Sequence, residues 1–169
     1  VGDPVGTRLV AGLARPGGNI TGLSNLAAEL TGKLLDLLRE IVPGFARVAI
    51  LSNPGNPVHA VYRQEAQVAA ERLGVRLQSV EARKPEDFDV AFAAMVRQQA
   101  GGLIVLPDPL SLSARARIAE LAAKTRLPAI YPTRDYADAG GLVSYGPYTP
   151  DLYRRAAVYV DRILRGAKP

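Results

Sequence analysis

Apolar and polar positions alternate in blocks along the chain, and from residue 46 the blocks become regular. Arg47-Val-Ala-Ile-Leu51 is a short apolar run of the kind a buried strand makes. Ser52-Asn-Pro-Gly-Asn-Pro57 ends it, with Asn56 suited to cap a helix and Pro57 to its first turn. Val58, Val61, Tyr62, Ala66, Ala69 and Leu73 follow at helical spacing, and Gly74 stops that helix. Val75 to Val80 alternates as a strand nearer a sheet edge. Pro85 opens a second helix with Phe88, Phe92, Met95 and Val96 on one face. Gly102-Leu-Ile-Val-Leu106 is another buried strand, closed by Pro107-Asp-Pro-Leu-Ser111. A helix carrying Ile118, Leu121 and Ala122 comes next, and Leu127-Pro-Ala-Ile-Tyr131 and Gly141-Leu-Val-Ser-Tyr145 are further strands.

The two ends depart from this rhythm. Leu9, Val10 and Leu13 predict one short helix, broken by Pro16-Gly-Gly. Leu26, Leu30, Leu34, Leu37, Leu38 and Ile41 form the stripe of an amphipathic helix leading into the first strand. Thr149-Pro-Asp is a helix start, with a cap, a proline at the first position and an acid favoured by the helix dipole. Leu152, Ala156, Tyr159, Val160, Ile163 and Leu164 supply its apolar stripe, and Gly166 ends it.

Strands alternating with helices of this length predict βαβ units, hence an α/β fold with a doubly wound parallel sheet covered on both faces. At 169 residues, 48% of them hydrophobic, the chain is long enough to bury one core and too apolar for disorder.

Composition removes several chemistries. With no Cys there is no disulfide, thiol nucleophile or thiolate-bound metal, and with one His a histidine metal site or a Ser-His-Asp triad is disfavoured. That residue, His59, stands beside the Asn-Pro turn and reads as solvated or capping. The net charge of +5 comes from arginines scattered over the polar sides of helices. It is not gathered beside aromatic platforms as nucleic-acid binding requires, so no nucleic-acid partner is expected. No apolar run has the length of a membrane span.

Ligands of open parallel sheets bind at the carboxyl ends of the strands. That rule selects the loops Ser52-Asn56, Pro107-Ser111, Tyr131-Tyr136 and Ser144-Tyr148. They hold Asp108 and Asp135, Arg134, the hydroxyls and amides of Ser52, Asn53, Thr133 and Ser144, and four tyrosines. A small polar or zwitterionic molecule with a flat part suits that inventory. Asp108, fixed between two prolines, could equally cap the helix after it, and Tyr131 could equally pack in the core. Asp108 and Asp135 offer a possible acid/base pair, but nothing in their spacing demands one. No nucleophile elbow is present, and Leu30-Thr-Gly-Lys33 lacks the earlier glycine and the strand of a phosphate loop. A receiver domain would need acids where Ser52-Asn53 stand. Gly17-Gly18 in LARPGGNITGLS reads as a helix end rather than a dinucleotide loop, which needs a strand before its glycines.

Taken together, Val1-Gly-Asp-Pro-Val-Gly, Leu13-Ala-Arg-Pro-Gly-Gly-Asn-Ile-Thr-Gly22, Pro85-Glu-Asp-Phe, Leu127-Pro-Ala-Ile-Tyr131, Gly140-Gly-Leu-Val-Ser-Tyr-Gly146 and Asp151-Leu-Tyr-Arg-Arg-Ala resemble ABC transporter substrate-binding proteins of the tryptophan/aromatic-uptake-like type. The resemblance covers essentially the whole chain. It implies a type I periplasmic-binding fold, in which two α/β lobes close on a ligand by a hinge motion.

By that resemblance residues 1–18 are the tail of the first lobe, 19–24 a crossing, 25–144 the second lobe, 145–149 a second crossing and 150–169 a helix returning to the first lobe. Most of the first lobe is missing, so the chain resembles a fragment. The resemblance implies ligand contacts at Asn53, Asp108, Tyr131, Arg134 and Tyr145, with Asp108 and Tyr145 foremost, and hinge positions at Asn19, Gly22, Ser144 and Gly146. It implies no cofactor, no metal and no catalysis. The implied partners are a small organic ligand such as an amino acid and an ABC permease, and the implied location is periplasmic or extracytoplasmic, a lipid anchor on the parent being one form of it. Exposed stripes at 1–18 and 150–165 predict self-association of the fragment, for instance as a homodimer. Two alternatives stand beside this reading: the sensory half of a LacI-like transcription regulator, and a small α/β enzyme using Asp108.

Overall fold

The computed structural model describes residues 3–25 and 27–168, so Leu26 of the first amphipathic stripe and the Val1-Gly2 end of the first motif lie outside the described residues. The chain divides into two compact units, Ala28–Gly146 and Val1–Ala27 with Pro147–Pro169.

The larger unit is built on a five-stranded sheet, β1 (Arg47–Ser52), β2 (Arg76–Glu81), β3 (Leu103–Val105), β4 (Ala129–Tyr131) and β5 (Val143–Ser144). Every pairing is parallel and the order is β2-β1-β3-β4-β5. Parallel neighbours need long crossovers, and helices supply them: α1 (Ala27–Ile41) enters the sheet, α2 (Val58–Arg72) joins β1 to β2, α3 (Asp87–Arg97) joins β2 to β3, α4 (Pro109–Ser113) and α5 (Arg115–Lys124) join β3 to β4, and α6 (Arg134–Asp138) joins β4 to β5. The chain steps outward from β1 to β2, then returns to the other side of β1 for β3. The strand order therefore reverses between β1 and β3.

Alternation along the strands divides the core between two faces. Ala49, Leu51, Leu103, Val105, Ala129 and Tyr131 pack with Phe88, Phe92 and Met95 of α3, Ile118 and Leu121 of α5 and Tyr136 of α6. Gly102 opens the opposite face to α1, because a Cβ there would press on Leu38 at 2.8 Å. The buried stripe of α1 is Thr31, Leu34, Leu35 and Leu38, which leaves Ile41 exposed, and that of α2 is His59, Tyr62, Ala66, Ala69 and Ala70. Val61 and Val96, expected on buried faces, are exposed; each stands one residue, about 100° of helix, from a stripe that tertiary packing chose. Two short helices, α4 and α6, occupy segments expected to be loops.

In the smaller unit, residues 3–25 contain turns and bends but no helix. The helix expected over Leu9, Val10 and Leu13 does not form. Arg8 takes a left-handed φ of 57° after a turn in which Leu9 N–H donates to Pro4 O, and Ala11 N–H closes a loop onto Pro16 O. A few residues between such breaks cannot meet the cost of nucleating a helix. Gly17, with φ 79°, therefore ends a bend and not a helix. The last helix, α7 (Thr149–Leu164), stops before Gly166 at φ 95° and has no buried residue; Val158, Val160, Ile163 and Leu164 are exposed.

Candidate functional site

The reversal between β1 and β3 leaves the carboxyl ends of two neighbouring strands without a direct connection, and the loops leaving them meet there. Asp108 follows β3 in an extended conformation (φ −153°) and caps α4, its Oδ1 accepting the Leu110 N–H at 2.9 Å. From the loop after β1, the Asn53 amide donates to the same oxygen at 3.2 Å and the Asn56 amide donates to Oδ2 at 2.9 Å. Each Asn also uses its carbonyl: Asn53 Oδ1 accepts from Gly55 N–H, and Asn56 Oδ1 accepts from Val58 N–H at the start of α2. Burial pushes the Asp108 carboxyl up, but the hydrogen bonds from Asn56, Asn53 and Leu110 outweigh it and hold the group below 3.8. Its side chain is 4% exposed, and the cavity beside it measures about 10 Å³, room for at most one water. Asp108 is thus a clamp between two loops.

His59, expected to be solvated or capping, is 1% exposed. Its Nδ1 accepts the Asn53 N–H at 2.9 Å, so the ring hydrogen sits on Nε2, which lies 3.2 Å from Pro107 O. The His-to-loop spacing carried no recognisable motif. The signal that could have found it is its place three residues before Tyr62 on a stripe continued by Ala66.

At the end of β4, Tyr131 is fully buried and stacks on Tyr136, centroids 4.9 Å apart, and burial raises its pKa to about 12. Tyr131 therefore belongs to the core: the last residue of β4 points to the face that α6 covers. Tyr136 donates to Ser111 Oγ at 2.9 Å, tying α6 to α4. Tyr136 is one of the four loop tyrosines the sequence offers to a ligand, and here it is buried in the core; Ser111 carries no signal of its own in the sequence. Arg134 is exposed and its Nε donates to Asp138 Oδ1 at 3.3 Å. Tyr145 is 43% exposed while its N–H donates to Tyr131 O at 3.0 Å. Asp108 and Asp135 share no hydrogen bond among the described residues.

The expected hinge positions differ in kind. A Cβ on Gly146 would collide with Pro132 O, whereas at Gly22 it would meet nothing within 4 Å. Ser144 closes β5, and Asn19 is exposed in a bend.

The family model for ABC transporter substrate binding proteins matches residues 1–169. The chain belongs to the ABC transporter substrate-binding protein family. A conserved domain protein from Vibrio cholerae shares 28% identity with it at a TM-score of 0.91, over 100% of this chain and 56% of that one. An ABC domain from Streptococcus pneumoniae in complex with L-Trp shares 22% identity at a TM-score of 0.87, over 99% of this chain and 56% of that one. CD0873 of Clostridium difficile, a substrate binding protein with adhesive properties in a ligand-free open structure, shares 21% identity at a TM-score of 0.70, over 99% and 56%. The search of the curated proteins finds no match. This ABC substrate-binding chain thus spans about half the length of these solved structures.

Among the described residues of this family member, no three His, Asp or Glu side chains stand together as a metal site, and no helix is long and apolar enough to cross a membrane. A larger cavity of about 280 Å³ lies on the α5 flank of β4, lined by Ala119, Ala122, Arg126, Leu127 and Leu142 among others. Most of its lining precedes β4 and β5, away from the loops that leave β1 and β3.

Proposed function

We propose that the chain is part of the solute-binding component of an ABC importer, capturing a small organic molecule such as an amino acid between two lobes without chemical turnover. The observation carrying this reading is the Asn53–Asp108–Asn56 cluster at the strand-order reversal, the place where doubly wound sheets take their ligands. The contacts fall to the exposed groups beside it, Arg134 and the ring of Tyr145, and to the half-buried Asn53 at its rim. Asp108 and Tyr131 hold the loops behind them. L-Trp bound to the pneumococcal domain favours an amino acid with an aromatic or apolar side chain, for which a Tyr ring and a guanidinium are suited partners.

By this reading residues 19–24 and 145–149 are crossings between lobes, and Asn19, Gly22, Ser144 and Gly146 are hinge positions. The parent protein works outside the cytoplasm, delivers solute to a permease and is lipid-anchored or free. A LacI-like regulator is the weaker reading, since the transporter family model spans the whole chain.

Calorimetry of the full-length parent against the twenty L-amino acids tests the proposal. Binding of at least one, weakened tenfold or more by Tyr145→Ala, is expected. Unchanged affinity in Tyr145→Ala and Asp108→Ala together sinks the site assignment.

A further inference from the structure

The two loops that meet at the strand-order reversal are joined by more than carboxylate and amide. Asn53 N–H and Pro107 O are backbone groups on different loops, one a donor and one an acceptor. His59 stands between them with its acceptor nitrogen toward the first at 2.9 Å and its second nitrogen 3.2 Å from the other. Its Nε2 also lies 3.9 Å from Asp108 Oδ2, and its ring is tilted against Tyr62 with centroids 5.8 Å apart. A backbone N–H and a C=O largely withdrawn from water each need a partner, and here one rigid ring serves both. Neither Ser nor Thr has the span, and a Lys has no acceptor.

We infer that His59 is a positioning residue of the solute site, a cross-brace between the β1 and β3 loops that fixes how far apart Asn53 and the Asp108 loop stand, without touching solute. The inference rests on the solute-binding reading for its consequence, though not for its geometry. The brace acts through Asn53: the same half-buried residue whose N–H the ring receives directs its amide onto Asp108. Loss of the ring takes a backbone partner from both loops at once, at Asn53 N–H and Pro107 O, and leaves only the amide bonds to Asp108 between them. A ring fixed by α2 also makes the loop spacing a property of the folded sheet, present before solute arrives. Pre-ordering of that kind lowers the cost of binding.

The test uses the full-length parent with His59→Leu, which removes both partners, and His59→Gln, which keeps a donor for Pro107 O. Affinity for the amino acid bound best among L-tryptophan, L-phenylalanine and L-leucine is measured well below the melting temperature of every variant, so that loss of stability alone moves nothing. Expected are an affinity at least about tenfold weaker in His59→Leu, a smaller loss in His59→Gln, and faster amide exchange at Asn53 and through 106–110 in His59→Leu. The ring ¹⁵N resonances of wild type should show the hydrogen on Nε2. Wild-type affinity and exchange in His59→Leu, or a ring hydrogen on Nδ1, overturns the inference. A wild-type parent that binds none of the three amino acids overturns that ligand class alone, and the exchange and ring-nitrogen measurements then decide the brace by themselves.

Discussion

Asn56 donates its amide to Oδ2 of Asp108 at 2.9 Å, joining the loop after β1 to the cap of α4. With Asn53 and the Leu110 N–H it surrounds a carboxylate that water barely reaches. Asp108→Ala leaves three donors without their acceptor, so unfolding in urea should show a loss of about 2–4 kcal/mol. A loss under about 0.5 kcal/mol would contradict the clamp.

The same carboxylate gives the stability a pH dependence of known sign. Its folded pKa lies below the ordinary 3.8, so its contribution is complete above that value and is lost as pH falls through 3.8 toward the folded pKa. Asp108→Asn should flatten that acid limb in thermal melts recorded between about pH 5 and pH 2. Parallel limbs in wild type and variant would show that other groups carry it.

Tyr131 supplies the alkaline counterpart. Burial raises its pKa from 10.0 to about 12, so the folded state keeps a proton that the unfolded chain releases. Stability is whole below pH 10 and declines as pH rises through 12. Tyrosinate absorbance from Tyr131 and its stacked neighbour Tyr136 should be absent in the folded protein at pH 10 and appear only at higher pH or on unfolding. Ionisation of Tyr131 at pH 10 without unfolding would refute its burial.

Two glycines of the expected hinges should respond oppositely. Gly146→Ala sets a methyl against Pro132 O, next to the Tyr145 N–H bond to Tyr131 O, and should cost about 1–3 kcal/mol. Gly22→Ala meets nothing within 4 Å and should change stability by less than about 0.5 kcal/mol. Melting temperatures of the two variants decide between a packed crossing and an open one.

The isolated 169-residue chain should self-associate. In the smaller unit Leu9, Leu13 and Ile20 are exposed, and so are Val158, Val160 and Leu164 of α7. Apolar surface left in water costs about 25 cal/mol per Å². Sedimentation at high micromolar concentration checks this, and a clean monomer would count against it.

Much of this architecture was legible locally. The apolar run ending at Leu51 and the stop at Gly74 with φ 66° lie where side-chain pattern and turn chemistry put them; α7 starts at Thr149-Pro150 as expected, though its cap is Tyr148 and not Thr149, with no side-chain cap bond. What failed locally failed for reasons of neighbours. Leu9 to Leu13 had helical spacing but too few residues between breakers. Val61 and Val96 had hydrophobicity but the wrong angle for the face the sheet selected. Asn53 and Asp108 stood out as polar loop residues, and Asp108 as a cap of the helix after it, which the Leu110 N–H supplies, yet nothing local showed that the amides of Asn53 and Asn56 would also reach it.

The sequence by itself determined the α/β class, the parallel sheet and the strand ends where a solute site could form, because these follow from periodicities of a few residues. Only the tertiary structure decided that β3 lies beside β1 and not beside β2. That choice brings Asn53 and Asn56 against Asp108, more than fifty positions along the chain. It also turns His59 inward between two backbone groups. Contacts of such separation depend on which edge of the sheet a crossover selects, and no local pattern of apolar and polar residues encodes that.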